Sequence, residues 1–273
     1  ISAVTAGRSS FLSESSNTCA SNLLRDYEVM KKAMAKLSIV FVFTVFSSIA
    51  FADRVKLTSL LWPPYSGQEL PNQGASIAVA KAAFEAMGHT LEVDFFPWSR
   101  AVLIAKSSGS YAGYFPEYFY EADEFLFSAP MGKGPLGLVE QSSSPIQWET
   151  LNDLKAYKIG VVQDYVNTPE LDAMIASGEI NTSSVISDAQ NILKVALGRV
   201  DIAVVDPNVL DYLLANDPRV SKVKSKVQMN DKLLVMKNLY IAFKNNPAGE
   251  KWKKIFDEGL QKIDVQAIMS SNM

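Results

Sequence analysis

Residues 116–130 read PEYFYEADEFLFSAP, with four carboxylates (Glu117, Glu121, Asp123, Glu124), five aromatic rings and no Lys or Arg. Acids set beside aromatic faces suit an organic ammonium or guanidinium, which gains ion pairing and cation–π attraction together. A carboxyl of shifted pKa in a cleft can instead act as a general acid or base. The same run also reads as a solvated loop leading into a strand, and residue type alone does not choose.

Other chemistries are excluded by count. The chain has one Cys (Cys19) and one His (His89). That is too few for a Cys/His zinc site, and no disulfide can form within the chain. His89 lies at a helix end, and no G-x-S-x-G elbow accompanies it, so a Ser-His-Asp triad is not expected. The formal net charge of −3 argues against a broad nucleic-acid surface. No metal and no cofactor is expected. With 48% hydrophobic residues, the chain can build one large core or two smaller ones.

The N-terminal region is read separately. Met30 opens MKKAMAKLSIVFVFTVFSSIAFAD, where Lys31, Lys32 and Lys36 precede a mostly apolar run from Leu37 to Phe51. Ala50-Phe51-Ala52 then supplies small residues around a cleavage point before Asp53. These are the three parts of a secretory signal peptide, expected over 30–52 and implying an exported protein. The apolar run is shorter than the roughly 20 residues that a spanning helix needs. Residues 1–29, rich in Ser, Asn and Thr, read as a disordered or upstream-translation lead. The chain from Asp53 onward carries a formal charge of −5 and no Cys.

The elements that must position the chemistry alternate. Strands are expected at Val55–Leu61, Thr90–Phe96, Lys158–Val162, Val185–Ser187, Val200–Val205 and Leu239–Phe243, with extended segments at 125–128 and 136–140. Helices are expected at Gly74–Met87, Ser99–Ser107, from Thr168-Pro169, from Asp188 as cap, from Asp206-Pro207, and at Ala248–Ile263. Strands separated by helices argue for an α/β class with parallel sheets. Two such series suggest two lobes, about 53–142 and 143–236, and the pattern leaves the last strand and helix unassigned. In open α/β sheets a ligand sits beyond the carboxyl ends of the strands. Those positions carry Trp62–Tyr65, Trp98, Arg100, Tyr114–Glu117, Gln163–Thr168 and Asp206. Each has a plainer reading beside it: Trp62 and Trp98 as core, Arg100 as a solvated helix start, Asp206 as a helix cap.

Taken in order, the motifs WPPY (62–65), GASIAVAKAAFEAMGH (74–89), PWSRA (97–101), FSAP (127–130), KIGVVQD (158–164) and GRVDIAVVD (198–206) resemble those of the family 3 extracellular solute-binding proteins of ABC importers. The resemblance covers nearly all of 53–263. It implies a two-lobed type II periplasmic binding protein fold, with lobe 1 at 53–142 plus 237–273, lobe 2 at 143–236 and the ligand in a hinged cleft between them. It implies a monomeric binding protein that hands a small polar solute, cationic or amino-acid-like, to an inner-membrane permease. It places Asp206 on a ligand ammonium and Trp62 and Tyr65 on its apolar part. The loop holding Gln163, Asp164, Tyr165 and Asn167 would receive a ligand carboxylate at a helix N-terminus. Two departures stand out. Where relatives keep a carboxylate-gripping Arg, this chain has Glu121, and the second-lobe G-T/S-T reads Asp164-Tyr165-Val166. An anion about 4 Å from Glu121 would be repelled by about 4 kcal/mol at an effective dielectric near 20. Arg100 is either a substitute clamp or structural. The alternatives kept open are a periplasmic enzyme resembling cyclohexadienyl dehydratase, with Glu117 or Glu121 as acid or base, and a partner of a sensor. Binding without catalysis is the expectation.

Overall fold

The computed structural model describes residues 27–32, 34 and 53–273. The chain divides into two compact units, 1–51 and 52–273. In the first, residues 27–32 and 34 are helical and exposed. The rest of the expected lead and signal peptide, Cys19 included, lies outside the described residues. Among the described residues no helix is long and apolar enough to cross a membrane.

The second unit is a mixed α/β structure. Its strands are β1 (Arg54–Ser59), β2 (Thr90–Phe95), β3 (Gly113–Glu117), β4 (Phe125–Phe127), β5 (Gly132–Gln141), β6 (Ile159–Val162), β7 (Thr182–Val185), β8 (Ile202–Val205), β9 (Val227–Met229) and β10 (Val235–Lys244). Its helices are α1 (Ala75–Glu85), α2 (Trp98–Ser107), α3 (Pro169–Ala176), α4 (Asp188–Ala196), α5 (Pro207–Asn216), α6 (Pro247–Leu260) and α7 (Val265–Ser271). The strand order is β2-β1-β3-β10-β5-β8-β6-β7, with β4 on β10 and β9 on β5.

β1 runs parallel to β2 and β3, and β6 runs parallel to β7 and β8. These two parallel groups are joined by β5 and β10, which serve both. Val235–Leu239 of β10 pairs antiparallel with Gly132–Leu136 of β5, while Tyr240–Lys244 turns to β3 and β4. The far half of β5, Gly137–Gln141, pairs with β8 and β9.

Local chemistry sets where the helices start. The Thr168 hydroxyl accepts from Leu171 N–H ahead of α3, and Asn246 accepts from Gly249 N–H ahead of α6. α1 buries Ile77, Val79, Ala80, Ala83 and Phe84, and Phe84 packs on Phe256 of α6 with ring centroids 5.3 Å apart.

Several expectations are corrected. The strand placed at Val185–Ser187 lies at Thr182–Val185, and Ser187, not Asp188, is the N-cap of α4. Asp188 is the first helical residue and is buried. β3 was not anticipated, because Pro116 interrupts a strand pattern. The last helix stops at Leu260, and α7 follows with Asp264 as cap.

Candidate functional site

The turn after β1 delivers the first side chains. Trp62 and Tyr65 stack with ring centroids 4.4 Å apart, held by hydrogen bonds between Trp62 and Ser66. The Tyr65 hydroxyl then reaches the other parallel group, donating to Asp206 Oδ2 at 3.0 Å and accepting from Asn208 Nδ2 at 2.8 Å. Asp206 Oδ1 accepts from Asn208 N–H at 2.7 Å and Val209 N–H at 3.3 Å. The carboxylate therefore caps α5 with one oxygen and faces the cleft with the other. Burial pushes its pKa up to about 6, and the Tyr65 and backbone hydrogen bonds limit the rise.

Two further acids are buried nearby. Glu117, at the end of β3, is pushed up to about 8 by burial, and it accepts from the Tyr118 N–H at 2.8 Å. Asp188 is pushed up to about 7 by burial first and by the Asp206 charge second, with the Tyr165 hydroxyl beside it. Tyr118 connects the set. It is 7% exposed, lies edge-on to Trp62, and feels the charges of Asp206, Asp188 and Glu117. Its hydroxyl has no hydrogen-bond partner among the described residues. Leaving a buried donor unmet costs about 1–3 kcal/mol.

A fourth buried acid, Glu140, accepts from Ile146 N–H, Gln228 Nε2 and Asn230 Nδ2. A buried carboxylate that ionises calls for a positive partner or well-placed donors. Among the described residues no group of three or more His, Cys, Asp or Glu is arranged to hold a metal ion.

The two parallel groups also meet at Trp98. Its Nε1–H donates to Asp164 O at 3.0 Å, and the Ser99 hydroxyl donates to Asp164 Oδ2. The Trp98 ring lies edge-on to Tyr114 at 5.4 Å and to Tyr165 at 6.0 Å. These contacts enclose a cavity of about 30 Å³, lined mainly by apolar side chains with Glu117 among them. That is room for a water or two.

The structure thus gathers Trp62, Tyr65, Trp98, Tyr114, Glu117, Tyr165 and Asp206 in one place. Other candidates stand apart. Arg100 is exposed, with its guanidinium over the Phe96 ring, and Glu121 is exposed on the loop after Tyr120. Gln163 is exposed too. The loop expected to take a ligand carboxylate already holds one of its own: Asp172 accepts from Asn167 N–H at 2.9 Å and from Asn167 Nδ2 at 2.6 Å. Sequence reasoning missed Tyr118, Asp188, Asn208 and Lys237. Asp188 looked like a helix cap and Tyr118 like part of an aromatic run. Lys237 carried no signal, because its place depends on the β5–β10 pairing.

No family model and no curated sequence matches the chain. Solved structures do. A histidine kinase sensor domain with similarity to periplasmic binding proteins superposes with a TM-score of 0.68 at 21% identity, covering 81% of this chain and 96% of that one. This chain has the type II periplasmic binding protein fold. An amino acid ABC transporter substrate-binding protein from Streptococcus pneumoniae, bound to L-arginine, has a TM-score of 0.62 at 17% identity, covering 80% and 91%. An ancestral amino-acid-binding protein that is a precursor of cyclohexadienyl dehydratase gives 0.62 at 16%, covering 80% and 93%. Tyr65 and Asp206 bridge the two parallel strand groups that β5 and β10 connect.

Proposed function

We propose that this chain is a periplasmic solute-binding protein of the family 3 type, closing two lobes (53–142 with 237–273, and 143–236) over a small organic cation and delivering it to an ABC permease. The observation that carries the reading is the set of three buried acids, Glu117, Asp188 and Asp206, around a Tyr118 hydroxyl with no partner. An ammonium or guanidinium would neutralise the acids, accept the faces of Trp62 and Tyr118, and supply donors to the carboxylates. The arginine nearest the strand ends, Arg100, is exposed, and the loop before α3 already holds the Asp172 carboxylate on Asn167. The cavity of about 30 Å³ is too small for an amino acid. Entry therefore requires the halves to part about β5 and β10, with Trp98–Asp164 and Tyr65–Asp206 as the contacts that break. A neighbour of the same fold holds L-arginine, which is itself cationic.

A thermal-shift screen across amines, guanidines, betaines, amino acids, carboxylates and sugars tests this. A ligand at 100 times its Kd adds about 2.7 kcal/mol of stability. Stabilisation by amines or guanidines is expected; stabilisation by carboxylates alone would overturn the reading.

One observation favours a second reading. Glu117, with a carboxyl pushed up to about 8 in an apolar cavity, has the character of a general acid. An enzyme on this scaffold would turn over prephenate or arogenate, and product formation on incubation would select it.

A further inference from the structure

The cleft reading leaves one charge unexplained. Lys237 lies on β10 directly opposite Gly134 of β5. Directly opposed residues of an antiparallel pair project to the same face. A Cβ on Gly134 would sit 2.4 Å from the Tyr65 hydroxyl oxygen and 2.6 Å from Asp206 Oδ2. The Lys237 side chain therefore leaves the strand on the Tyr65–Asp206 face. It runs along Tyr118, with its Nζ 4.5 Å from the ring centroid, and donates to Asn167 O. The ammonium is half-buried, and burial lowers its pKa while attraction to Asp172 and Glu117 raises it. The cation–π position on Tyr118 that a ligand could use is already taken on one side by the protein's own ammonium.

We propose that Lys237 is a specificity-determining residue: a tethered ammonium that fills the Glu117 end of the cleft, so that an external cation is admitted only at the Asp188–Asp206 end. The inference rests on the cation-binding reading above and sharpens its ligand class. A solute with one cationic head fits. A diamine whose second ammonium reaches toward Glu117 meets Lys237 instead, and like charges repel by about 2 kcal/mol at about 8 Å for an effective dielectric near 20.

The test compares Lys237→Met, which keeps an unbranched stem and loses the charge, with Lys237→Arg, which keeps the charge. Matched alkyl monoamines and diamines, with butylamine and putrescine as the first pair, are titrated into wild type and both variants. Wild type and Lys237→Arg are expected to bind the diamine no more tightly than the monoamine. Lys237→Met is expected to raise the diamine-to-monoamine affinity ratio by about tenfold or more. Lys237→Gln replaces the Met variant if that one does not fold. An unchanged diamine-to-monoamine ratio in a folded, amine-binding variant overturns the role of Lys237 alone. Failure of wild type and every variant to bind any amine overturns the cation-binding reading, and this inference with it.

Discussion

The Tyr65 hydroxyl donates to Asp206 Oδ2 at 3.0 Å, joining two residues 141 positions apart. One follows the first strand of one parallel group, and the other ends a strand of the opposite group and starts α5. The bond makes a helix cap into a cleft acid. Asp206 Oδ1 is committed to the helix by two backbone N–H groups, and Oδ2 is left to the cleft with Tyr65 as its donor. The helix-cap reading and the ligand-acid reading of Asp206 are compatible, because the two oxygens divide the roles.

Gly134 is where that bond presses on the connecting strands. Any Cβ there would come within 2.4 Å of the Tyr65 hydroxyl oxygen and 2.6 Å of Asp206 Oδ2. Gly134→Ala is expected to break the Tyr65–Asp206 contact and cost about 1–3 kcal/mol as overpacking. Chemical denaturation checks the stability, and amine titration checks the accompanying loss of affinity.

Acidification is expected to stabilise the ligand-free protein through the window set by the cleft. Burial foremost pushes Glu117, Asp188 and Asp206 up to about 8, 7 and 6, from ordinary values of 4.5 for the Glu and 3.8 for the two Asp. The folded state holds these protons more tightly than the unfolded chain, so the contribution is complete below the ordinary values and is lost as pH rises through the folded ones. Surface acids held low by Lys partners, such as Asp53 and Glu92, act in the opposite sense, with their loss confined to more acidic pH. The unfolding midpoint should therefore be higher near about pH 5 than near about pH 8, and Glu117→Gln should flatten the upper part of the curve. A midpoint that falls steadily on acidification across that window contradicts the burial of these acids. Amine affinity should run the other way, tightening toward higher pH as the carboxyls ionise.

Trp98 is expected to act as a latch. Its indole N–H bonds to Asp164 O across the cleft at 3.0 Å, and Ser99 reaches the Asp164 carboxylate beside it. Trp98→Phe keeps a ring against Tyr114 and removes the donor, a loss of about 1 kcal/mol. In a hinged protein that shifts the closed–open balance about fivefold, and small-angle scattering should report a larger radius of gyration without unfolding.

Much of the fold was legible in the sequence, and the reasons are local. Thr168-Pro169 and Asp206-Pro207 announced helix starts because cap and first-turn chemistry is written in adjacent residues. β3 was hidden by its Pro116, and α7 is too short to show a clear period. The site divides in the same way. Trp62, Tyr65 and Asp206 follow strands and could be placed by that rule. Arg100 and Glu121 also sit near strand ends, but their side chains turn to solvent, which spacing does not encode. Asp188 and Lys237 enter the cleft through tertiary pairing: Asp188 by burial at the start of α4, Lys237 by its register against Gly134.

The central claim is that the cleft is a cation site built on Asp206, and calorimetric titration of wild type and Asp206→Asn tests it most directly. Asn retains a cap oxygen for α5, so the helix start survives while the charge is lost. The best amine or guanidine from the screen is expected to bind wild type and to lose at least about 30-fold in affinity, about 2 kcal/mol, in Asp206→Asn. Equal affinity in the two proteins, or binding of carboxylates in place of amines, would contradict it.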